Sequence, residues 1–265
     1  MKIISVANQK GGVGKTTTVL NVGCGLCGLG KRVLLVDLDP QAHLTTSFGI
    51  EESEVKSSVN RIFLSGGVTL HDVSVKILTD GDNGITLIPS TIDLSTAEIK
   101  LYAETGRDFI LRNFLARADF DYVLIDCPPN LGILTINAFT ASDCLVVPVQ
   151  TEYLATRGFS ALLDTLAVVR ERLNPHLEIL GVLATMYDAR KVLDREIVEH
   201  IGKSFGGELF NTRIRKNVSL AEAPSHGESI FTYKPDSTGA EDYAALCKEI
   251  LARTEAQDGK AKARQ

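Results

Sequence analysis

Short, unbroken runs of aliphatic and β-branched residues recur along the chain at residues 3–7, 32–37, 85–88, 122–126, 144–149 and 179–185. They are continuously apolar rather than alternating, the pattern of strands covered on both faces in a parallel sheet. Between and after them lie helical patterns at residues 15–29, 107–118, 157–173, 194–205 and 240–253, and a short strand is expected around residues 208–212. Strand and helix alternate over short links, which predicts right-handed crossovers and an α/β three-layer sandwich with a mostly parallel central sheet. Residues 51–83 are the least regular and most polar stretch and read as a surface insertion. No internal repeat or linker interrupts the chain, so residues 1–254 are expected to form one domain. Residues 255–265 are small and polar and read as a disordered tail.

Composition narrows the functional classes. The chain has 265 residues, 44% of them hydrophobic, and a net charge of −5. A constitutively basic nucleic-acid binder would look different, so any DNA binding must come from a local patch. Five cysteines, an odd number scattered through apolar segments, argue against a disulfide framework and for a reducing cytosol. No run of about 18 apolar residues is present, and the first residues lack the features of a signal peptide. A cytoplasmic protein with no membrane partner is expected.

The first strand runs into Asn8-Gln9-Lys10-Gly11-Gly12-Val13-Gly14-Lys15-Thr16-Thr17. The common phosphate-loop pattern would place a glycine at position 9, where this chain has Gln9. The physics of the loop survives that departure. Gly11, Gly12 and Gly14 let backbone N–H groups converge on phosphate oxygens with no Cβ in the way. The following helix points its positive end at the same place. Lys15 is the point charge for the β and γ phosphates of ATP, and the Thr16 hydroxyl is a candidate Mg²⁺ ligand. Lys10 to Thr17 are thus the nucleotide-binding loop of a P-loop NTPase.

Two further strands end in aspartate. Residues 32–37 lead into Asp37-Leu38-Asp39-Pro40-Gln41, and residues 122–126 into Asp126-Cys127-Pro128-Pro129-Asn130-Leu131-Gly132. Carboxylates just past the C-terminal ends of strands lie where open α/β sheets bind ligands. Alternation along extended chain points Asp37 and Asp39 the same way. Asp126 fits the Walker B position, which usually holds Mg²⁺ through a water.

Lys-Gly-Gly-Val-Gly-Lys-Thr resembles the deviant Walker A motif of the ParA/MinD superfamily. Val-Asp-Leu-Asp-Pro-Gln and Asp-Cys-Pro-Pro-Asn-Leu-Gly resemble its two switch segments. Residues 186–190, 220–227 and 239–243 resemble the ParA/Soj branch, as do residues 135–138 and 147–150. The resemblance spans most of residues 1–253 and implies a partitioning ATPase. It implies that Lys10 crosses a dimer interface to the partner's nucleotide and that Asp39 positions the attacking water. Asp37 takes a supporting place near Mg²⁺, and Met186 and Asn217 join the nucleotide site. An ATP-dependent homodimer, nonspecific double-stranded DNA and a ParB-like activator are the implied partners, with nucleoid association when ATP is bound. One departure stands out: Ile214-Arg215-Lys216-Asn217 replaces the family's common Ile-Pro-Arg-Asn. The basic residues best placed for DNA are Arg190, Lys191 and Arg195 in one segment and Arg213, Arg215 and Lys216 in another.

Rival readings were a MinD-like membrane or other cargo-positioning ATPase and a DNA-binding regulator with weak ATPase. A cluster-bridging electron carrier and a redox or metal site at Cys24 and Cys27 were two more. The end of the chain lacks the large apolar residues of an amphipathic membrane anchor, and Cys127 has no evident cluster partner. Cys24 and Cys27 read better as small core residues, and intact Lys15, Thr16, Asp39 and Asp126 argue against a vestigial site.

Overall fold

The computed structural model describes residues 1–80, 83–151 and 157–262. Its seven strands are β1 (Lys2–Val6), β2 (Arg32–Asp37), β3 (Val75–Asp80), β4 (Asn83–Ile88), β5 (Tyr122–Asp126), β6 (Cys144–Gln150) and β7 (Glu178–Thr185). They form one sheet in the order β3-β4-β2-β5-β1-β6-β7, parallel except for the antiparallel β3–β4 pair. The longer helices are α1 (Lys15–Gly28), α2 (Leu94–Leu101), α3 (Ile133–Ala141), α4 (Arg157–Arg172), α5 (Val192–Phe205) and α6 (Thr238–Lys262).

Alternate side chains of each central strand enter opposite cores. Leu34 and Val36 of β2 join one with α2, α3 and α4, while Val33 and Leu35 join the other with α1 and α6. Both faces are therefore apolar, which is why these strands read as continuous runs. The carboxyl ends of β1, β2 and β5 lie side by side, with Val6 and Asp37 each in register with Asp126. That register, not the sequence, brings the phosphate loop and both aspartate motifs to one edge.

Several expectations need correction. Residues 51–83 are not a surface insertion: Val59, Ile62, Phe63 and Val73 are buried in the core, and β3 extends the sheet. β3 escaped the apolar-run criterion because it is an exposed edge strand, broken by Lys76 and a register shift. α3 was missed because it is buried almost all round and shows no amphipathic stripe. The stretch around residues 208–212 follows β7 through one bridge, Val182 to Leu209, and forms no strand.

The tail expectation also fails as far as Lys262. α6 continues through it, Thr254 is buried against the Tyr122 hydroxyl, and Lys2 pairs with Asp258 at 2.8 Å. Residues 263–265 of that tail lie outside the described residues. Among the described residues no helix is long and apolar enough to cross a membrane.

Candidate functional site

The loop after β1 is built by backbone geometry. Gly12 and Gly14 adopt φ of 73° and 88°, left-handed values that a side chain resists, and Gly14 caps α1. The loop is held from below by Thr185 of β7, whose hydroxyl donates to the Val13 carbonyl at 2.9 Å. Asn8 steadies its start, accepting from the Lys10 N–H and donating to the Pro148 carbonyl. A cleft of about 930 Å³ opens above it, lined by Gly11, Gly12, Gly14, Lys15, Thr16 and Thr17 together with Asp39 and Met186. Val13 is buried beneath the loop and does not line it.

Asp126 is fully buried and half-satisfied. Its Oδ2 accepts from the Thr16 hydroxyl at 2.7 Å, and its Oδ1 has no hydrogen-bond partner. An unpaired buried carboxylate oxygen is costly unless something polar or cationic meets it. Burial and then neighbouring Asp37 push this carboxyl well above the usual carboxylate range, against the pull of Thr16 and Lys15. A hydrated divalent cation between Thr16 and Asp126 would satisfy the oxygen and reverse that electrostatic balance. The residues present therefore fit Mg²⁺.

Asp37, expected to support the Mg²⁺ site, has both carboxylate oxygens bonded within the chain. Its Oδ2 accepts from both the backbone and the hydroxyl of Thr45, and its Oδ1 accepts from the Asp39 N–H. Burial pushes it up to about 7 despite those bonds. It is wholly buried, does not line the cleft, and ties the segment after β2 into shape. Asp39 does line the cleft, with its Oδ1 accepting from the Gln41 N–H.

Lys10 turns away from its own cleft. Its Nζ lies 3.3 Å from the Gln150 Oε1 at the end of β6, while its carbonyl accepts from the Lys15 Nζ at 3.4 Å. Asn217 is not among the lining residues. Its Oδ1 accepts from the Ser219 N–H and its Nδ2 donates to the Thr238 hydroxyl, so it shapes the turn into the short helix at Ser219–Glu222 and ties it to the start of α6. Sequence reasoning missed a second wall, built from His43, Thr46 and Ser47 after β2 and from Pro224, Ser225 and His226. Gly49 and Gly227, both with positive φ, meet back to back there, which brings the two segments together. Only the fold makes these distant positions neighbours.

The two basic segments also become neighbours. Tyr187 and Arg215 form a bridge, and the Lys216 N–H donates to the Tyr187 carbonyl. Arg190, Lys191, Arg195, Arg213 and Lys216 are exposed on that surface. Arg190 is chelated by Asp188 through two 2.9 Å bonds, a contact that holds the Asp188 carboxyl down to about 2. Arg195 donates to the Ala189 carbonyl, and Arg213 stacks over the Tyr187 ring. Arg215 is exposed too but is engaged within the chain: it grips Asp242 and Glu241 at the start of α6 through its guanidinium, and its backbone N–H donates to Asp242. The arginine that replaces the common proline therefore has a structural task.

A parallel sheet with a glycine loop between β1 and α1 and aspartates closing β2 and β5 defines a P-loop NTPase. Residues 1–179 match a family model described as an AAA domain. Over 253 residues the chain is 47% identical to the sporulation initiation inhibitor protein Soj of Bacillus subtilis, covering 95% of this chain and 98% of Soj. It is 39% identical to the chromosome partitioning protein ParA of Caulobacter vibrioides, covering 98% of each. Among solved structures, cobyrinic acid a,c-diamide synthase from Mycobacterium smegmatis with bound ADP and magnesium matches with a TM-score of 0.83 and 37% identity, over 97% of this chain and 96% of that one. The chain belongs to the ParA/Soj family of chromosome-partitioning P-loop proteins.

Proposed function

We propose that this chain is an ATP-driven DNA-partitioning switch. Two copies close face to face over ATP and Mg²⁺, and the dimer binds double-stranded DNA without sequence preference. A ParB-like partner stimulates hydrolysis and returns the dimer to monomers. The carrying observation is the buried Asp126 with its unpartnered Oδ1, its Oδ2 bonded to the hydroxyl of Thr16, which lines one cleft with Lys15 and Asp39.

Phosphoryl transfer needs positioning and charge neutralisation more than covalent chemistry. In this reading the glycine-loop amides and Lys15 hold the β and γ phosphates, and Asp39 orients the attacking water. Mg²⁺, when bound, neutralises charge on the phosphate oxygens, held by Thr16 and, through water, Asp126. Asp37 supports by ordering the segment that carries Asp39. Lys10, whose Nζ meets Gln150 at the end of β6, serves the other copy's nucleotide. Met186 borders the nucleotide, and the exposed basic surface around Arg190 meets DNA phosphates, which makes the ATP-bound dimer nucleoid-associated.

The phosphate loop and the two aspartate motifs contain no arginine finger and no His or Glu placed as a base, which favours slow turnover alone. The test is ATP hydrolysis by the purified chain with and without double-stranded DNA and a ParB-like protein. Slow basal turnover that rises several-fold with both is expected. No hydrolysis under any condition would overturn the reading.

A further inference from the structure

α2 anchors itself by Leu94, Ala97 and Leu101, all fully buried. Its opposite side is unusual for a surface helix. Ile99 of α2 is 73% exposed, and it is flanked by Tyr102, the helical-conformation residue that ends α2 three positions on, at 58%, and by Ile92, in the turn that leads into α2, at 52%. Scattered exposed apolar residues need no explanation, but an aligned stripe marks a contact surface.

The stripe is wired to both switch segments. On one side the Ser90 N–H donates to the Thr45 hydroxyl, which itself donates to Asp37 below the Asp39 loop. The Ile92 N–H donates to Glu52. On the other side Glu98 lies over Gly132, in the turn after Asp126. A Cβ at Gly132 would stand 2.7 Å from the Glu98 Oε1, so the glycine permits this approach. The rim is acidic in excess: Glu52, Asp93, Glu98 and Glu104 outnumber Lys100 and Arg107, and Arg107 lies over the Tyr102 ring.

We propose that the exposed apolar stripe formed by Ile99 and Tyr102 at the end of α2 and by Ile92 in the turn before it is the docking surface for the activating protein. It would take a basic amphipathic segment whose apolar side chains cover the stripe and whose cations meet the acidic rim. Seated there, the segment bears on the Asp39 loop through Thr45 and on the Asp126 turn through Glu98. Docking and hydrolysis are thereby coupled without the ligand entering the cleft. This rests on the functional reading above, in that an activator exists.

The test uses the full chain with ATP, DNA and a purified ParB-like protein. Hydrolysis is titrated against partner for wild type, Ile99→Asp, Tyr102→Asp and the conservative Ile99→Leu, and ATP-dependent mass is followed by light scattering. The aspartate variants should need about tenfold or more partner for half-maximal stimulation. Their basal turnover and ATP-dependent mass should match wild type, and Ile99→Leu should be stimulated normally. Wild-type stimulation of both aspartate variants overturns the surface. Loss of ATP-dependent dimerisation in Ile99→Asp reassigns the face to a second copy of the chain and overturns it too. An unstimulated wild type overturns the activator reading itself, and the docking surface with it.

Discussion

Lys15 and Asp39 line one cleft yet act at different stages of the proposed cycle. Lys15 favours the bound triphosphate itself, so Lys15→Ala should lower nucleotide affinity by about two orders of magnitude or more, as a fluorescent ATP titration would register. In the proposed mechanism Asp39 orients the attacking water, a transition-state role. Asp39→Ala should bind ATP normally and lose about 10²-fold in turnover. It should accumulate as an ATP-bound dimer in size-exclusion chromatography, and a monomer at saturating ATP would contradict the assignment. Lys15 was legible from the glycine-loop spacing, and Asp39 from its place after a strand, its role coming from the family resemblance. The task of Asp37 was not, because alternation predicts the direction of a side chain and not the Thr45 bonds that fill its oxygens.

At the scale of elements, Arg215 joins the segment after α5 to the first turn of α6. Its bonds to Asp242, whose side chain is 10% exposed, fasten that helix over the second core. The guanidinium is half in solvent, so its contribution is discounted for screening. Arg215→Ala should cost roughly 1–2 kcal/mol, a shift of several degrees in a thermal melt. The slope of DNA affinity against salt should stay as in wild type, since the Arg215 guanidinium is engaged by Asp242 and Glu241. A slope shallower by about one would return Arg215 to the phosphate-contacting set.

For the whole molecule, an acidic chain can hold DNA only through a concentrated patch, and the proposed dimer would double it. The fold gathers Arg190, Lys191, Arg195, Arg213 and Lys216 around the paired segments at Tyr187 and Arg215. Arg190→Ala should abolish ATP-dependent DNA binding in a titration at fixed salt while light scattering still detects the dimer. Lys10→Ala should give the complementary defect. ATP binding by the monomer should persist and ATP-dependent dimerisation should fail, as judged by the same light scattering. Equal DNA affinity with ATP and ADP in the wild type would refute the switch.

Local chemistry determined what the sequence could reveal. Strands buried on both faces must be continuously apolar, a phosphate loop must carry glycines before Lys-Thr, and a carboxylate that works at a sheet edge must end a strand. These needs are met within ten residues of chain, so β1, β2, β5, the loop and Asp39 and Asp126 could be read directly. The tertiary structure alone decided the rest. Register set Asp37 beside Asp126, and packing gave β3 and α3 environments that erase their period. The Gly49–Gly227 contact raised the second wall of the cleft. Asn217 was drawn into a turn, Arg215 was drawn onto α6, and α6 was extended to Lys262 against β1 and β5. Each of these depends on contacts between residues far apart in the chain, whose energies no local pattern encodes.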